Sequence, residues 1–383
     1  MSSTETFCTI GMNSLRTVEL TQTLTAVNYE SGSISFSCYE NEIPSFVEAE
    51  LERLYGNLYS SIPQLRVSGK LDDVSTYVVH KGRELVTIFL FRIDGRRLEV
   101  LNEVIRIEEE DIGRFATYIF SGFGAIDVVS FRAIQTDFRS IPFKYQQFEC
   151  LEDIVVPLPG NTEDYTASLG RSTRKNLRYY RNTLMHAFPS FKFSVYEKSA
   201  IEPQHVLDII ELNRARMFDK NKVSGIDETE AAKLIYLARE RGLVGVATID
   251  GRVCAGAITV RVGENFFLSV LAHNPAYNAY RLGNLCCYLT ICECIKRAAK
   301  EFHFLWGQYD YKYLFLGVQR DLHCLAIYRS RLRYLLNAGF ALRFAFLGYM
   351  RRAKVWSHQD TTMSKFAKRI FEAVRSFRQI RKK

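Results

Sequence analysis

The chain has 383 residues, 47% hydrophobic, 13% aromatic and 24% charged, with 22 Gly and 8 Pro, which excludes collagen, coiled coil and disorder and describes a globular protein. At about 150 residues per domain the length divides into two domains, each able to bury its own core. Of 51 Lys/Arg and 42 Asp/Glu, the stretch 351–383 holds 11 and 2, so the preceding residues balance at 40 and 40. The formal charge of +9 therefore belongs to the tail, a polyanion-binding face spread over a whole domain is not indicated, and no DNA partner is expected.

The amino terminus lacks a basic segment followed by an apolar stretch, so a cytoplasmic protein is expected, peripheral at the inner membrane surface if the tail binds lipid. Apolar runs such as Leu85–Phe91 are strand-sized and too short to span a bilayer. Nine scattered cysteines fit a reducing compartment.

In chain order, the periodicity predicts an amphipathic helix over 41–59, strands over 75–80, 85–92 and 97–107, a helix over 110–119 and a strand over 126–132. The order is α, three β, α, β. After helices over 203–220 and 228–241 it returns, with strands over 243–249, 255–262 and 265–272, a helix over 282–300 and a strand over 302–306. Turn glycines support a duplication: Gly82 and Gly251 are 169 residues apart, Gly95 and Gly263 168, Gly113 and Gly283 170. The fold class is thus α/β of the α+β kind, with domains over 1–160 and 161–350 and a basic amphipathic tail helix over 351–383.

Pro157 to Asn161 marks the boundary. Beyond it, residues 172–181 predict a helix capped by Ser172, with Arg174, Lys175, Arg178 and Arg181 among its side chains and Leu177, Tyr180 and Leu184 on one stripe. It reads either as a solvated linker or as a phosphate-facing bridge at the domain junction.

No nucleotide-binding loop, dinucleotide fingerprint, zinc-protease helix or serine elbow is present. Cys286, Cys287, Cys292 and Cys294 fall within one predicted helix, where their directions diverge, so buried thiols and no metal are expected. The informative segment is 266–317. An apolar strand over 267–271 runs through a loop into Arg281-Leu282-Gly283-Asn284, which opens a long helix, and such a turn offers free N–H groups and the positive helix end to a diphosphate. A strand and the pattern Gly307-x-x-x-Tyr311-Lys312-x-x-x-x-Gly317 follow.

Strand, R-x-G-N turn, helix, strand and the G-x-x-x-Y-K-x-x-x-x-G pattern resemble the carboxy-terminal domain of the GNAT acyltransferase superfamily, in its CelD-like branch (cellulose-biosynthesis acetyltransferases) and the related FemABX peptidyltransferases. The basic helix resembles the one that opens that domain, and the duplication resembles the double-GNAT build of FemABX proteins. The resemblance implies two tandem GNAT-like domains, each a mixed, mostly antiparallel sheet flanked by helices, with the first one non-catalytic. It implies an N-acyltransferase that takes an acyl group from acetyl-CoA, a longer acyl-CoA or an acyl-carrier thioester to an amine of a small-molecule, sugar or lipid-precursor acceptor by direct transfer. Val270, Leu271 and Ala272 would pair with the pantetheine arm, and Arg281, Leu282, Gly283 and Asn284 would hold the pyrophosphate. The turn carries one glycine where the family's is richer. Alternatives are FemABX-like transfer from aminoacyl-tRNA and a non-catalytic double-GNAT module that binds membrane or a partner through its tail.

Direct transfer needs a base for the amine, N–H donors for the oxyanion and an acid for the departing thiolate. By the resemblance Asp310 is a candidate base, with His273 its rival, and Tyr311 and Tyr328 are candidate acids. Arg174, Lys175, Arg178, Gln308 and Lys312 are candidate substrate contacts. In the first half Asp111-Ile112-Gly113-Arg114 stands where the turn should be, and Glu108, Glu109 and Glu110 before it would repel a diphosphate. The tail over 362–383 aligns Phe366, Ile370, Val374, Phe377 and Ile380 on one stripe among basic residues. It reads as docking on the protein's own body, or as contact with an anionic membrane surface, an acyl-carrier protein or tRNA.

Overall fold

Strand patterns of period two, punctuated by glycine, fix most of the architecture. The computed structural model describes residues 34–359 except 138 and 220; the stripe over 362–383 lies outside the described residues. The first half runs β1 (Ile34–Tyr39), α1 (Val47–Tyr55), α2 (Ile62–Val67), β2 (Val74–Lys81), β3 (Glu84–Asp94), β4 (Arg97–Val100), α3 (Glu109–Gly122), β5 (Val128–Ile134) and β6 (Lys144–Pro157). The second runs α4 (Thr162–Ser168), α5 (Arg171–Ala187), β7 (Lys192–Glu197), α6 (Pro203–Asp219), α7 (Glu228–Arg241), β8 (Gly242–Ile249), β9 (Arg252–Val262) and β10 (Asn265–His273). It closes with α8 (Leu282–Ile295), β11 (Glu301–His303), α9 (Asp310–Leu314), β12 (Val318–Tyr328), α10 (Arg331–Leu336) and α11 (Ala338–Gln359).

The strands form one sheet in the order β1, β2, β3, β4, β5, β12, β6, β11, β10, β9, β8, β7. Read inward from either edge the order repeats, five strands of one half followed by the last strand of the other. β12 sits beside β5 and β6 beside β11, so the halves exchange their final strands. These two exchanged strands pair antiparallel from Val318 opposite Val155 to Tyr328 opposite Lys144, and this long central ladder joins the units. β4 with β5 and β10 with β11 are the parallel pairs.

Two of the three glycine pairs do equivalent work. Gly82 and Gly251 turn β2 into β3 and β8 into β9, Gly95 and Gly263 make the next turns, and all four have φ between 57° and 74°, where a Cβ is disfavoured. The third pair is not equivalent: Gly113 lies inside α3, whereas Gly283 is the second residue of α8. Three expectations are corrected. β1 and β7 are additional edge strands that precede the expected order in each half. The strand expected over 97–107 ends at Val100, because the side chain of Asn102 accepts the Leu90 N–H at 2.7 Å and Val104 turns to φ 59°. Ser172 does not cap α5, which begins one residue earlier behind Gly170.

Alternation along each strand gives the sheet two apolar faces. In the second unit α8 packs on one face, through Leu282, Leu285, Ile291 and Ile295 against Phe266, Leu268 and Phe302. α6 and α7 cover the other, through Ile209, Ile210 and Ala238 against Val244, Ile258, Val270 and Ala272. Both faces need β10, and a bulge between Leu268 and Val270 switches its inward side chains from one to the other.

Candidate active site

The site begins with a strand that loses a partner. β10 pairs with β11 only from Asn265 opposite Glu301 to Phe267 opposite His303. Past that point β10 continues on β9 alone as far as His273, while the chain after β11 stays with β6 through the Phe304 N–H to the Ile154 carbonyl, 2.8 Å. The two parallel strands therefore splay. Along Leu268 to His273, which includes Val270, Leu271 and Ala272, no described strand bonds the edge of β10 that faces away from β9, and an extended chain can add there by backbone hydrogen bonds. The first unit is closed at the equivalent place. There the Val104 N–H reaches the Ala133 carbonyl at 2.7 Å, and Gln135 exchanges bonds with Ile105 and Ile107 at 2.8 and 3.0 Å. Its α3 also opens on Glu109, Glu110 and Asp111, so that copy has neither the gap nor the cationic turn.

At the open end of β10 the chain makes a short helical turn, Pro275–Tyr280, held by Tyr277 and Tyr280 edge-on to Phe188 at the end of α5. Arg281 then takes φ 50° and starts α8. Leu282 and Gly283 stand at its first two positions, where an N–H has no carbonyl a turn behind it. Asn284 N–H returns to the Arg281 carbonyl at 3.0 Å. Gly283 is required for space: a Cβ there would fall 2.5 Å from His273 Nδ1. His273 Nε2 meets Asn278 Oδ1 at 2.9 Å. His273, Asn278, Arg281, Gly283, Asn284 and Tyr180 line an open cleft of about 630 Å³.

The basic helix belongs to the same region. α5 rests on α8 through Leu177 and the buried Leu184, with Thr166 bonded to Tyr288 at 2.7 Å beneath it. Arg171, Arg174, Lys175, Arg178 and Arg181 surround a second pocket of about 450 Å³ floored by Leu285 and Tyr288. The cations of this helix are mostly exposed around that pocket, and Arg174 is tied to the Ala167 carbonyl.

The Gly307 to Gly317 pattern has a structural explanation. Gly307 has φ 91° and its N–H donates to Glu152 Oε1 at 3.0 Å. Lys312 is 2% exposed, and its ammonium donates to the carbonyls of Phe304, Leu305 and Trp306 at 2.9, 2.9 and 2.7 Å. Burial lowers it to about 8. Gly317 lets the chain close on Lys312, whose carbonyl would be 2.8 Å from a Cβ. Lys312 is therefore corrected from a substrate contact to the clamp that holds the chain leaving β11.

That clamp positions α9. Asp310 is exposed at its first position, and Tyr311 is largely inside, its ring edge-on to Phe304 at 5.7 Å and stacked on Tyr309. Burial raises the Tyr311 hydroxyl well above its ordinary value; Cys287 of α8 adds to this, while Arg216 of α6 opposes it. Tyr311 packs against the apolar cluster beneath α8, on the chain that leaves β11. Arg216 gave no signal in the sequence, yet its Nε is buried without a hydrogen-bond partner. Gln308 is exposed and bonds Gln319 at 3.0 Å.

Tyr328 is corrected. It is fully buried, donates to Gln146 Oε1 at 2.6 Å, packs edge-on to Tyr334 and lies at the end of β12 opposite Val128, three strands from β10. It cannot reach the splay.

A buried ionic cluster also escaped the sequence. His303, at the vertex of the splay, places Nδ1 2.7 Å from Asp153 and Nε2 3.2 Å from Glu301, which Arg320 holds bidentately. Burial opposes the imidazolium, but the two carboxylates prevail and raise His303 above its ordinary value. Burial likewise opposes ionised Glu301, and His303 and Arg320 nevertheless hold it at about 2. The cluster lines a cavity of about 160 Å³ between the two units. Cys286, Cys287, Cys292 and Cys294 are buried free thiols, raised chiefly by desolvation. Among the described residues no group of three or more His, Cys, Asp or Glu side chains could hold a metal ion, and no helix is long and apolar enough to cross a membrane.

Residues 171–313, which hold the basic helix, the cationic turn and the splayed parallel pair, match the family described as Acetyltransferase (GNAT) domain. The second unit thus carries a GNAT acyltransferase-type domain, and the two-unit fold is like that of a solved structure, FemX. Among solved structures it is similar to FemX, with 10% identity over 77% of this chain and 98% of that one and a TM-score of 0.57. L-PGS from Bacillus licheniformis gives 16% identity, 81% and 98% coverage and 0.47. A tandem GNAT protein from the clavulanic acid biosynthesis pathway gives 9%, 66% and 82%, and 0.37. No curated protein matches the chain.

Proposed function

We propose that the second unit, residues 161–350, transfers an acyl group from a coenzyme A thioester to an amine, with the first unit, residues 1–160, as a wall of the cleft. The observation that carries this is the splay: β10 has an unpaired edge from Leu268 to His273 that leads into the Arg281–Asn284 turn. The pantetheine arm pairs with that edge at Val270, Leu271 and Ala272. Its pyrophosphate takes the N–H groups of Leu282 and Gly283 with the Arg281 side chain, and the cations of α5, Arg174, Lys175 and Arg178 among them, take the remaining phosphate.

The thioester carbon then sits in the gap beside Tyr311. Asp310, or His273 as its rival, removes a proton from the acceptor ammonium through water, the amine attacks the carbonyl, and N–H groups of the open edge hold the oxyanion. Collapse expels the thiolate, which the Tyr311 hydroxyl protonates, and the attacking nitrogen gives its second proton to the tyrosinate through water, which leaves the amide and restores Tyr311. Burial keeps that hydroxyl protonated, as an acid requires. With Lys312 committed to carbonyls, Arg216 is the cation available to an anionic group on the acceptor.

Release of free thiol from acetyl-CoA and a longer acyl-CoA, measured across a panel of amines, tests this. Release that resists ribonuclease and is lost in Arg281→Glu/Gly283→Asp supports it. The extended row of five cations on α5 favours aminoacyl-tRNA as a second reading, and transfer abolished by ribonuclease would establish that donor instead.

A further inference from the structure

α11 follows the sheet along one face and leaves the other bare. Ala341, Phe344 and Gly348 turn inward, where Phe344 packs on Phe148 at 4.8 Å and a Cβ on Gly348 would meet the same ring at 2.9 Å. On the opposite side Leu342, Phe346 and Tyr349 follow at i, i+4 and i+7, and Leu332, Leu335 and Leu336 of α10 extend the patch. All six are 57–71% exposed. An apolar surface on two consecutive helices is more than scattered exposed leucines.

The charge of the two helices themselves has one sign, and the carboxylates beside them, Asp127, Glu149 and Glu152, are paired with Arg333 and Arg351. From Leu322 to Gln359 the sequence has seven Lys/Arg and no Asp or Glu. Arg331, Arg343 and Arg352 are exposed and make no ion pair with the described carboxylates. A second copy placed on this face would bring those arginines toward one another. The occupant the patch fits is apolar within and anionic at its rim.

We propose that the α10 and α11 surface docks on an anionic lipid bilayer, with Leu332, Leu335, Leu342 and Phe346 entering the interface and the three arginines meeting lipid phosphates. This is peripheral attachment by side-chain burial.

The test is flotation of the full chain with vesicles of phosphatidylcholine alone and with added phosphatidylglycerol. The wild type should float with the anionic vesicles and lose binding as salt rises. Leu332→Gln/Leu335→Gln/Phe346→Gln should bind them roughly a thousandfold more weakly, since each of the three anchors contributes on the order of tenfold. Arg331→Gln/Arg343→Gln/Arg352→Gln should weaken anionic binding and leave the weak binding to neutral vesicles unchanged. Because the segment 360–383 is present in every protein compared, the differences report the patch. Thermal unfolding checks that each variant is folded, and the arginine set, which removes no core packing, keeps the test open if the leucine set misfolds. Wild type that ignores anionic vesicles at low salt overturns the proposal, as does equal binding by both variants. So does self-association of the wild type that the leucine set abolishes, which would make a second copy the occupant.

Discussion

Replacing Lys312 with Met separates a clamp from a substrate contact. Methionine keeps the length and apolar stem, and removes the ammonium bonded to the carbonyls of Phe304, Leu305 and Trp306. Water can replace the partly buried bond to Trp306, and the Leu305 carbonyl still accepts the Ile154 N–H at 3.3 Å, so Phe304 is the acceptor left stranded. That costs about 1–3 kcal/mol and the lost bond at Leu305 about 1 kcal/mol more, and relief from burying an ammonium returns part of it. We expect a net loss of about 2 kcal/mol, a sizeable share of the total stability of a protein this size. The assay is urea unfolding by circular dichroism, with KM for donor and acceptor measured under folded conditions. Lys312→Arg should also destabilise, because a planar fork cannot point at three converging carbonyls. A variant that unfolds like wild type, within about 0.5 kcal/mol, but whose acceptor KM rises tenfold would refute the clamp and restore Lys312 to the substrate.

The other predictions concern the cleft and the ionic cluster. Gly283→Ala, whose Cβ falls 2.5 Å from His273 Nδ1, should leave unfolding within about 1 kcal/mol, helix propensity offsetting strain, and weaken donor binding by roughly tenfold or more in calorimetry. Arg216→Met should raise KM for an anionic amine by roughly ten- to a hundredfold, the size of one charge-assisted bond, without changing KM for the thioester. Tyr311→Phe should lower kcat with KM nearly unchanged in steady-state assays. His303 is raised in the fold, so its stabilisation is complete below its ordinary value near 6.5 and is lost as pH rises through the raised one; Glu301, held at about 2, contributes above about 4.5 and is lost on acidification. Urea unfolding from pH 4 to 9 should therefore show an alkaline limb that His303→Gln flattens.

What could be read from the sequence was local. Gly82, Gly95, Gly251 and Gly263 announce their turns because a positive φ is a property of one residue, and their spacing exposed the duplication. The Arg281–Asn284 turn was visible because a strand and a long apolar helix flank it. The edge strands β1 and β7 were missed because each is a run of only six residues, and at an edge all of them but Lys192 are half-buried, even where Ile34, Phe36 and Cys38 alternate with serines. The exchange of β6 and β12 joins residues about 170 positions apart, which no local periodicity encodes. Lys312 looked like a free cation among exposed aromatics, and its three carbonyl partners come from the preceding strand end. His303 reads as one polar residue in an apolar run until Asp153 is folded against it. Tyr328 was a candidate acid through the resemblance alone, and the sheet order seats it against β5, three strands from β10.

Calorimetric titration of the purified full chain with acetyl-CoA and with a longer acyl-CoA, beside Arg281→Glu/Gly283→Asp, tests the central claim most directly. The account predicts saturable binding by the wild type and none by the double variant, with both proteins folded. No heat of binding at millimolar ligand, or equal binding by both proteins, would contradict a thioester donor held at the splay and its turn.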